Sequence, residues 1–399
     1  MPNHTRIIPL LALAFAFVAQ PAFGKTKEKT PAADSTDGID TSAFKDSAQH
    51  WYNVNPDGAD RVIHPLPGRP TYKKNQVREI AENVLLFQRA NGIWPKNYDY
   101  TAILTPGQRK AVVDSRKRDD TTIDNNNTHT QIVYLARAYT LHKDERYRAA
   151  CERAFDAILT AQYPNGGFPQ IWPKATGYHT FITYNDGVMI GMLNLLRDIA
   201  EARRGFEWID TARREKARAA LAKGIDCVLA TQYTNAKGVL QGWGQQHDPK
   251  TMKPGQARKY EFPCLCSVDT AQVVSFLMEI EKPDERVIRA VKAGVAWMEA
   301  AKITGKKWEE FSTVDSKTGK KVWDKRLVDD PNAKPMWARM YELETGRPMF
   351  GGRDGIRRYN VAEVDYDRRN GYGWFNTQPA KILEKGYAEW AGRNGILAN

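Results

Sequence analysis

Two segments, Asp124-Asn125-Asn126-Asn127-Thr128-His129-Thr130-Gln131 and Thr183-Tyr184-Asn185-Asp186, each set a polar cluster directly ahead of an apolar run. The runs are Ile132, Leu135, Ala136, Tyr139 and Val188, Met189, Met192, Leu195, Leu196. Their three-and-four spacing is that of one face of an α-helix. A helix start needs only one Asp, Asn, Ser or Thr side chain to satisfy an orphan N–H. Several in a row exceed that need, so the clusters read either as elaborate N-caps or as polar chemistry gathered at one end of a repeated unit.

A second pattern recurs about 70 residues apart. An apolar helix end runs into Gln88 with Asn91-Gly92 and Trp94, into Gln162 with Asn165-Gly166 and Trp172, and into Gln232 with Asn235 and Trp243. Such a period holds two helices of ordinary length plus loops, which makes the unit a helical hairpin. Second helices are predicted to start near Asp124, Asp186, Ser267 and Pro335. Repeated hairpins bury their faces only by stacking, and a closed ring needs no polar end caps. Strand alternation is confined to short loop hairpins such as Gly238-Val239-Leu240-Gln241. The expected fold is therefore all-α: one α/α toroid of repeated helical hairpins with short β-hairpins in loops, the inner helix starts converging on one face. A cleft there would gather Asp124, Asp186, the segment before Ser267 and Trp337-Ala338-Arg339, and its Trp, Tyr and Arg suit a polysaccharide.

Arg6, the apolar stretch Ile7 to Val18, and Ala22-Phe23-Gly24 have the order of a secretory signal. Residues 1–24 are thus expected to be a signal peptide, 25–50 a flexible leader poor in periodicity, and 51–399 the catalytic domain. No later run is apolar for the roughly 18 residues of a membrane span, so a secreted or periplasmic monomer without a membrane partner is expected. Cys151, Cys227, Cys264 and Cys266 are too few for a disulfide scaffold; they read as buried or incidental, with one optional disulfide. The net charge of +12 points to an acidic partner or to solubility alone. No long Lys/Arg run or nucleic-acid motif accompanies it, which excludes nucleic acid.

Arginine dominates the later motifs, as Ala257-Arg258-Lys259-Tyr260-Glu261-Phe262-Pro263, Trp337-Ala338-Arg339-Met340-Tyr341-Glu342, Gly346-Arg347-Pro348 and Gly352-Arg353-Asp354-Gly355. A guanidinium holds a carboxylate bidentately, which favours an acidic sugar over a neutral one. The plainer reading pairs each arginine with a local acid, Arg353 with Asp354 for instance. Trp94, Trp172, Trp243 and Trp374 read equally as sugar platforms or as packing in the repeat turns. His129 reads as a polar helix-start residue, since no second His has ligand spacing; His179, which flanks the second cluster, is the other histidine worth a metal test.

In combination, Thr122-Ile123-Asp124-Asn125-Asn126-Asn127-Thr128, Gln162-Tyr163-Pro164-Asn165-Gly166-Gly167-Phe168-Pro169-Gln170, Ile182-Thr183-Tyr184-Asn185-Asp186, Arg258-Lys259-Tyr260-Glu261-Phe262-Pro263 and Gly352-Arg353-Asp354-Gly355 resemble the family 10 pectate lyases, from about Trp51 to the end. The resemblance implies an α/α toroid that cleaves polygalacturonate by Ca²⁺-dependent β-elimination, giving 4,5-unsaturated products. It also implies that Asp124 binds calcium, that Arg258 is the base, and that Arg339 and Arg353 bind substrate; Asp186 and Tyr260 are added as substrate-binding residues. Lys259 departs from the small residue expected after the base. Positive charge from calcium and the other arginines is expected to lower the pKa of Arg258. Rival readings are an inverting uronide hydrolase with Asp124 and Asp186 as acid and base, and a non-catalytic binding protein for acidic glycans. The Gln-x-x-Asn-Gly-x-Trp turns also suggest isoprenoid cyclase repeats, ranked last because no dense Asp run is present.

Overall fold

The computed structural model describes residues 38–49, 68–314 and 318–396. The expected signal peptide and the first part of the expected leader lie outside the described residues. From Ser42 the chain is folded: a 3-10 turn, Ser42–Phe44, enters α1 (Lys45–Gln49), and Phe44 is buried against Tyr100 and Tyr134.

Seven longer helices and α3 follow: α2 (Val77–Phe87), α3 (Pro106–Asp114), α4 (His129–His142), α5 (Glu145–Ala161), α6 (Val188–Ala200), α7 (Thr211–Thr231), α8 (Ser267–Leu277) and α9 (Glu285–Ala300). Three antiparallel-type hairpins pack within themselves, α4 with α5, α6 with α7 and α8 with α9, while α2, α4, α6 and α8 pack in succession. The two members of a hairpin bury different amounts because their sequences differ. The α6 sequence is apolar nearly all round and is buried nearly all round; α7, rich in Lys and Arg, buries only the stripe Ala217, Ala220, Gly224, Cys227, Val228 and Thr231. An inner and an outer layer result.

The repeated glutamine joins the outer layer. Gln88, Gln162 and Gln232 follow α2, α5 and α7, and each Nε2 donates to a carbonyl on the next outer helix, Ala150, Ala220 and Ala290, at 2.9 Å. A second bond from the same amide closes the turn, to the carbonyls of Gly92, Gly166 and Gln241. At Gly166 the φ is +89° and an added Cβ would lie 2.0 Å from the Lys223 carbonyl, so only glycine lets the turn meet α7. The indole N–H groups of Trp94 and Trp243 close back onto Val84 and Val228 carbonyls.

An all-α toroid is not what forms. The described residues are 46 % helix and 15 % strand, with several antiparallel sheets. The strands are β1 (Ile182–Thr183), β2 (Gln246–His247), β3 (Cys264–Cys266), β4 (Lys306–Val314), β5 (Lys321–Asp329), β6 (Trp337–Ala338), β7 (Met340–Glu342), β8 (Pro348–Gly351), β9 (Arg357–Arg358) and β10 (Phe375–Asn376). The fourth helix expected near Pro335 is β6 and β7 instead. Met336, Trp337, Ala338, Met340, Tyr341 and Glu342 are buried almost without a break, a run that helix and core strand share. Pairing decides: Leu265 lies opposite Tyr341 and Cys266 opposite Met340 in a sheet of order β3-β7-β8-β9. Trp374, Phe350, Met349 and Phe262 form a separate apolar cluster with this sheet. The chain ends with α10 (Tyr366–Gly371), α11 (Gln378–Lys381) and α12 (Tyr387–Arg393), α11 packing on α8.

Candidate active site

The two layers start their helices differently. Outer helices α5, α7 and α9 are capped by Asp144, Asp210 and Asp284, whose carboxylates accept from Arg146, Arg213 and Val287 N–H groups. Inner helices α4, α6 and α8 have Thr128, Gly187 and Cys266 at that position, and none makes a side-chain cap bond. The polar clusters before α4 and α6 are therefore not caps. They build one joint structure. Lys96 Nζ contacts Asp124 Oδ2 and lies 2.7 Å from Asn125 Oδ1. The Asn126 side chain donates to Asp46 Oδ2 at 2.9 Å, and its N–H to the Asp186 carbonyl at 3.1 Å. Asn125, Asn126, Thr128 and Asp186 all have positive φ, which Asn and Asp tolerate and β-branched Thr does not easily. A Cβ on Gly187 would meet Asn126 Oδ1 at 2.2 Å, so the two turns interlock only with glycine there.

Burial, together with the charge of Asp124, pushes the Asp186 carboxyl up to about 7 against the pull of Arg339. Burial and Asp124 likewise raise Asp46, although Asn126 bonds to it. Nearby, Asn185 Oδ1 is buried without a hydrogen-bond partner. The carboxylates, which raise one another, and the orphaned amide oxygen form an all-oxygen donor set, in which the Lys96 ammonium already contacts Asp124, and such a set fits a hard cation. Among the described residues no group of three or more His, Cys, Asp and Glu forms a ready cage, so the remaining ligands would have to come from substrate and water.

Arginines border this cluster. Arg258 is about a third exposed; its Nε lies 3.3 Å from Glu261 Oε2, and its Nη1 donates to Tyr260 Oη at 3.0 Å. Burial by itself would lower the Arg258 pKa, but Glu261 and Tyr260 outweigh it and the net shift is upward. The nearly buried Glu261 carboxylate is the adjacent charge that sets this direction. Glu261 also takes a bond from Tyr372 Oη at 3.0 Å, and the Tyr372 ring lies 5.1 Å from the Arg339 guanidinium. With its amide oxygen turned toward Arg339, Gln245 accepts from that guanidinium at 3.1 and 3.2 Å. Asp269, pushed up to about 6 by burial, also faces Arg339 electrostatically. Arg353 is exposed, 2.7 Å from Asp367 rather than Asp354, and within the electrostatic reach of Arg258. His179 feels Asp124, Lys96 and Arg258 together, which ties the arginines to the acidic turns.

Tyr260 is buried between Arg258 and Arg368, whose guanidinium carbons lie 5.8 and 5.3 Å from its ring centre. Its hydroxyl thus sets arginine geometry. Trp94, Trp243 and Trp374 are fully buried and cannot stack on sugar, while Trp172 is partly buried against the core. The His129 ring packs on Gly191, and burial holds its pKa down at about 4. His179 Nδ1 lies 2.7 Å from Gln170 Oε1. All four cysteines are free and buried, so the optional disulfide does not form. Lys96, Asp46, Gln245, Tyr372 and Arg368 were not singled out from the sequence; Lys96 directly follows the Trp94-Pro95 turn, whereas Asp46 lies in the segment read as a leader and had no motif beside it. Glu261 stood inside a quoted motif without a role. A concavity of about 700 Å³ beside Val239, Ile288 and Lys292 lies on α9 and contains none of the site residues.

Clustered carboxylates bordered by arginines, of which Arg258 and Arg353 keep an open face, define a site suited to an anionic polymer. The chain belongs to the pectic acid lyase family, which its sequence matches over residues 88–383, and it is a pectate lyase. A family 10 polysaccharide lyase from Cellvibrio cellulosa superposes with TM-score 0.67 at 27 % identity, covering 91 % of this chain and 100 % of that one. An aspartate-to-alanine mutant of a family 10 polysaccharide lyase from Cellvibrio cellulosa, in complex with trigalacturonic acid, gives TM-score 0.66 at 29 % identity over 81 % and 97 %. A search of curated proteins finds none that matches.

Proposed function

We propose that the protein is exported and cleaves polygalacturonate by β-elimination, with Ca²⁺ bound at the acidic turns. The carrying observation is that Asp186 interacts electrostatically with both Asp124 and Arg339, while His179 feels both Asp124 and Arg258, and Arg353 feels Arg258. The bound trigalacturonic acid of the Cellvibrio mutant supports the substrate class. Elimination takes the proton from C5, next to the uronate carboxylate, forms the C4–C5 double bond and expels the glycosidic oxygen from C4, which takes a proton from water. Arg258, held by Glu261 and Tyr260 with one face open, accepts the C5 proton in its neutral form. Arg339, braced by Tyr372 and Gln245, and the exposed Arg353 clamp uronate carboxylates. Asp124, Asp186 and Asn185 would hold Ca²⁺ together with the uronate, and the ion would supply electrostatic stabilisation of the charge that develops on the carboxylate. Because Glu261 keeps Arg258 protonated, turnover rises with alkaline pH.

A carboxyl raised by burial, as Asp186 is, is what the general acid of a hydrolase would show, and family membership favours the lyase. The test is incubation with polygalacturonate, with and without a chelator, while following ultraviolet absorbance of the 4,5-unsaturated uronate. Calcium-restorable absorbance is expected. Saturated reducing ends as the only product would overturn the reading.

A further inference from the structure

The long β4-β5 hairpin, unforeseen in the sequence, stands against α10, the helix that brings Arg368 to Tyr260 and Asp367 to Arg353. At its base lies a groove of about 380 Å³ lined by Lys306, Lys307, Trp308, Lys334, Phe375 and Asn376, with Asp330, Ala333, Met336 and Thr377 completing the wall. We infer that this groove is a further sugar-binding subsite, taking galacturonate units of the polymer beyond those held by the arginines. The inference rests on the pectate lyase reading above.

Three features carry it. Cationic side chains outnumber acids, and they are not all engaged: Lys306 pairs with Asp329 at 2.5 Å and Lys307 reaches Glu309 only at 3.7 Å, while Lys334 has no ion pair among the described residues. Asp330, the acid of the wall, accepts the Asn332 N–H within its own turn. Trp308 and Phe375, ring centres 5.0 Å apart, are each only half-buried, unlike the tryptophans of the repeat turns, so they present aromatic surface to a sugar face. The groove also joins the site through the backbone. Phe375 pairs with Ala338 and Asn376 with Trp337, and Met336 is three residues from Arg339, a separation of at most about 10 Å in an extended chain. A polyanion clamped at Arg339 therefore passes this wall if it continues in that direction, and its carboxylates meet ammonium groups there.

The test uses charge reversal at the two exposed lysines. Lys307→Glu/Lys334→Glu is compared with Lys216→Glu/Lys223→Glu on α7, which makes the same change in net charge on the outer layer. Unsaturated product is followed over a range of polygalacturonate concentrations at fixed salt. The groove variant should show a KM about tenfold higher with kcat unchanged, and the α7 variant a KM within twofold of wild type. Equal KM changes in both variants would reduce the effect to net charge and overturn the subsite. An unchanged KM in the groove variant, or a fall in kcat alone, would overturn it too. Lys334→Ala, milder in its demands on folding, should raise KM about threefold and fails the proposal if it does not. Wild type lacking unsaturated product would instead overturn the lyase reading, so the two failures are distinct.

Discussion

Replacing Glu261 by Gln removes the negative charge beside Arg258 while keeping a side chain of the same size. Nε of Arg258 lies 3.3 Å from Glu261 Oε2, and the Arg258 N–H lies 3.2 Å from the same oxygen. At 3.3 Å and an effective dielectric constant near 20, the bare attraction is about 5 kcal/mol. Arg258 leaves 35 % of its side chain open, so screening reduces the useful part to about 1–2 kcal/mol. One pH unit corresponds to about 1.4 kcal/mol, and the alkaline limb of the kcat profile should therefore move about one unit to lower pH. The sign follows from the pair: Glu261 raises the folded pKa of Arg258, and without it the neutral base appears at lower pH. The stabilisation by the raised pKa is fully present below the ordinary arginine value and is lost only above it. Thermal denaturation should accordingly show a cost of about 1–2 kcal/mol that is constant between pH 7 and 10. The assay is unsaturated product formation from polygalacturonate at saturating substrate across that range. A limb that stays in place, or moves to higher pH, would refute Arg258 as the group that loses its proton before the step.

Asp186 has a folded pKa raised from 3.8 to about 7, so its burial costs nothing below the first value, and stability falls as pH rises toward the second. Asp186→Asn should then gain more melting temperature at pH 8 than at pH 5, and Ca²⁺ should raise the melting temperature of wild type at pH 8 but not that of the variant. Asp124→Ala should lose calcium-supported activity while remaining folded by circular dichroism, because that side chain caps no helix. Arg258→Lys should lower kcat and kcat/KM together, and by more than Arg347→Lys, whose guanidinium sits over Tyr359 at 4.0 Å. Arg339→Ala and Arg353→Ala should raise KM first. Gln88→Ala orphans the Gly92 and Ala150 carbonyls and should cost about 2–4 kcal/mol in denaturant unfolding with kcat intact.

The inner helix starts close after Asp124 and Asp186 and at Ser267, together with the glutamine turns, were legible, because helix period and turn chemistry act within a few residues. The β6-β7 segment was not. Its apolar spacing satisfies helix and core strand alike, and only the edge of β3, some 70 residues earlier, selects the strand.

Chemistry divides in the same way. Local sequence determined that Asp124 and Asp186 stand at helix starts with more polar groups than capping uses, since caps draw on a single side chain. Tertiary structure alone decided that Lys96 meets Asp124, that Asp46 joins the acidic turns, and that the Glu261 carboxylate is nearly buried beside Arg258 and raises its pKa. Those outcomes depend on burial and on charges brought together across the fold, and the energy of a charge is set by its surroundings rather than by its neighbours in the chain.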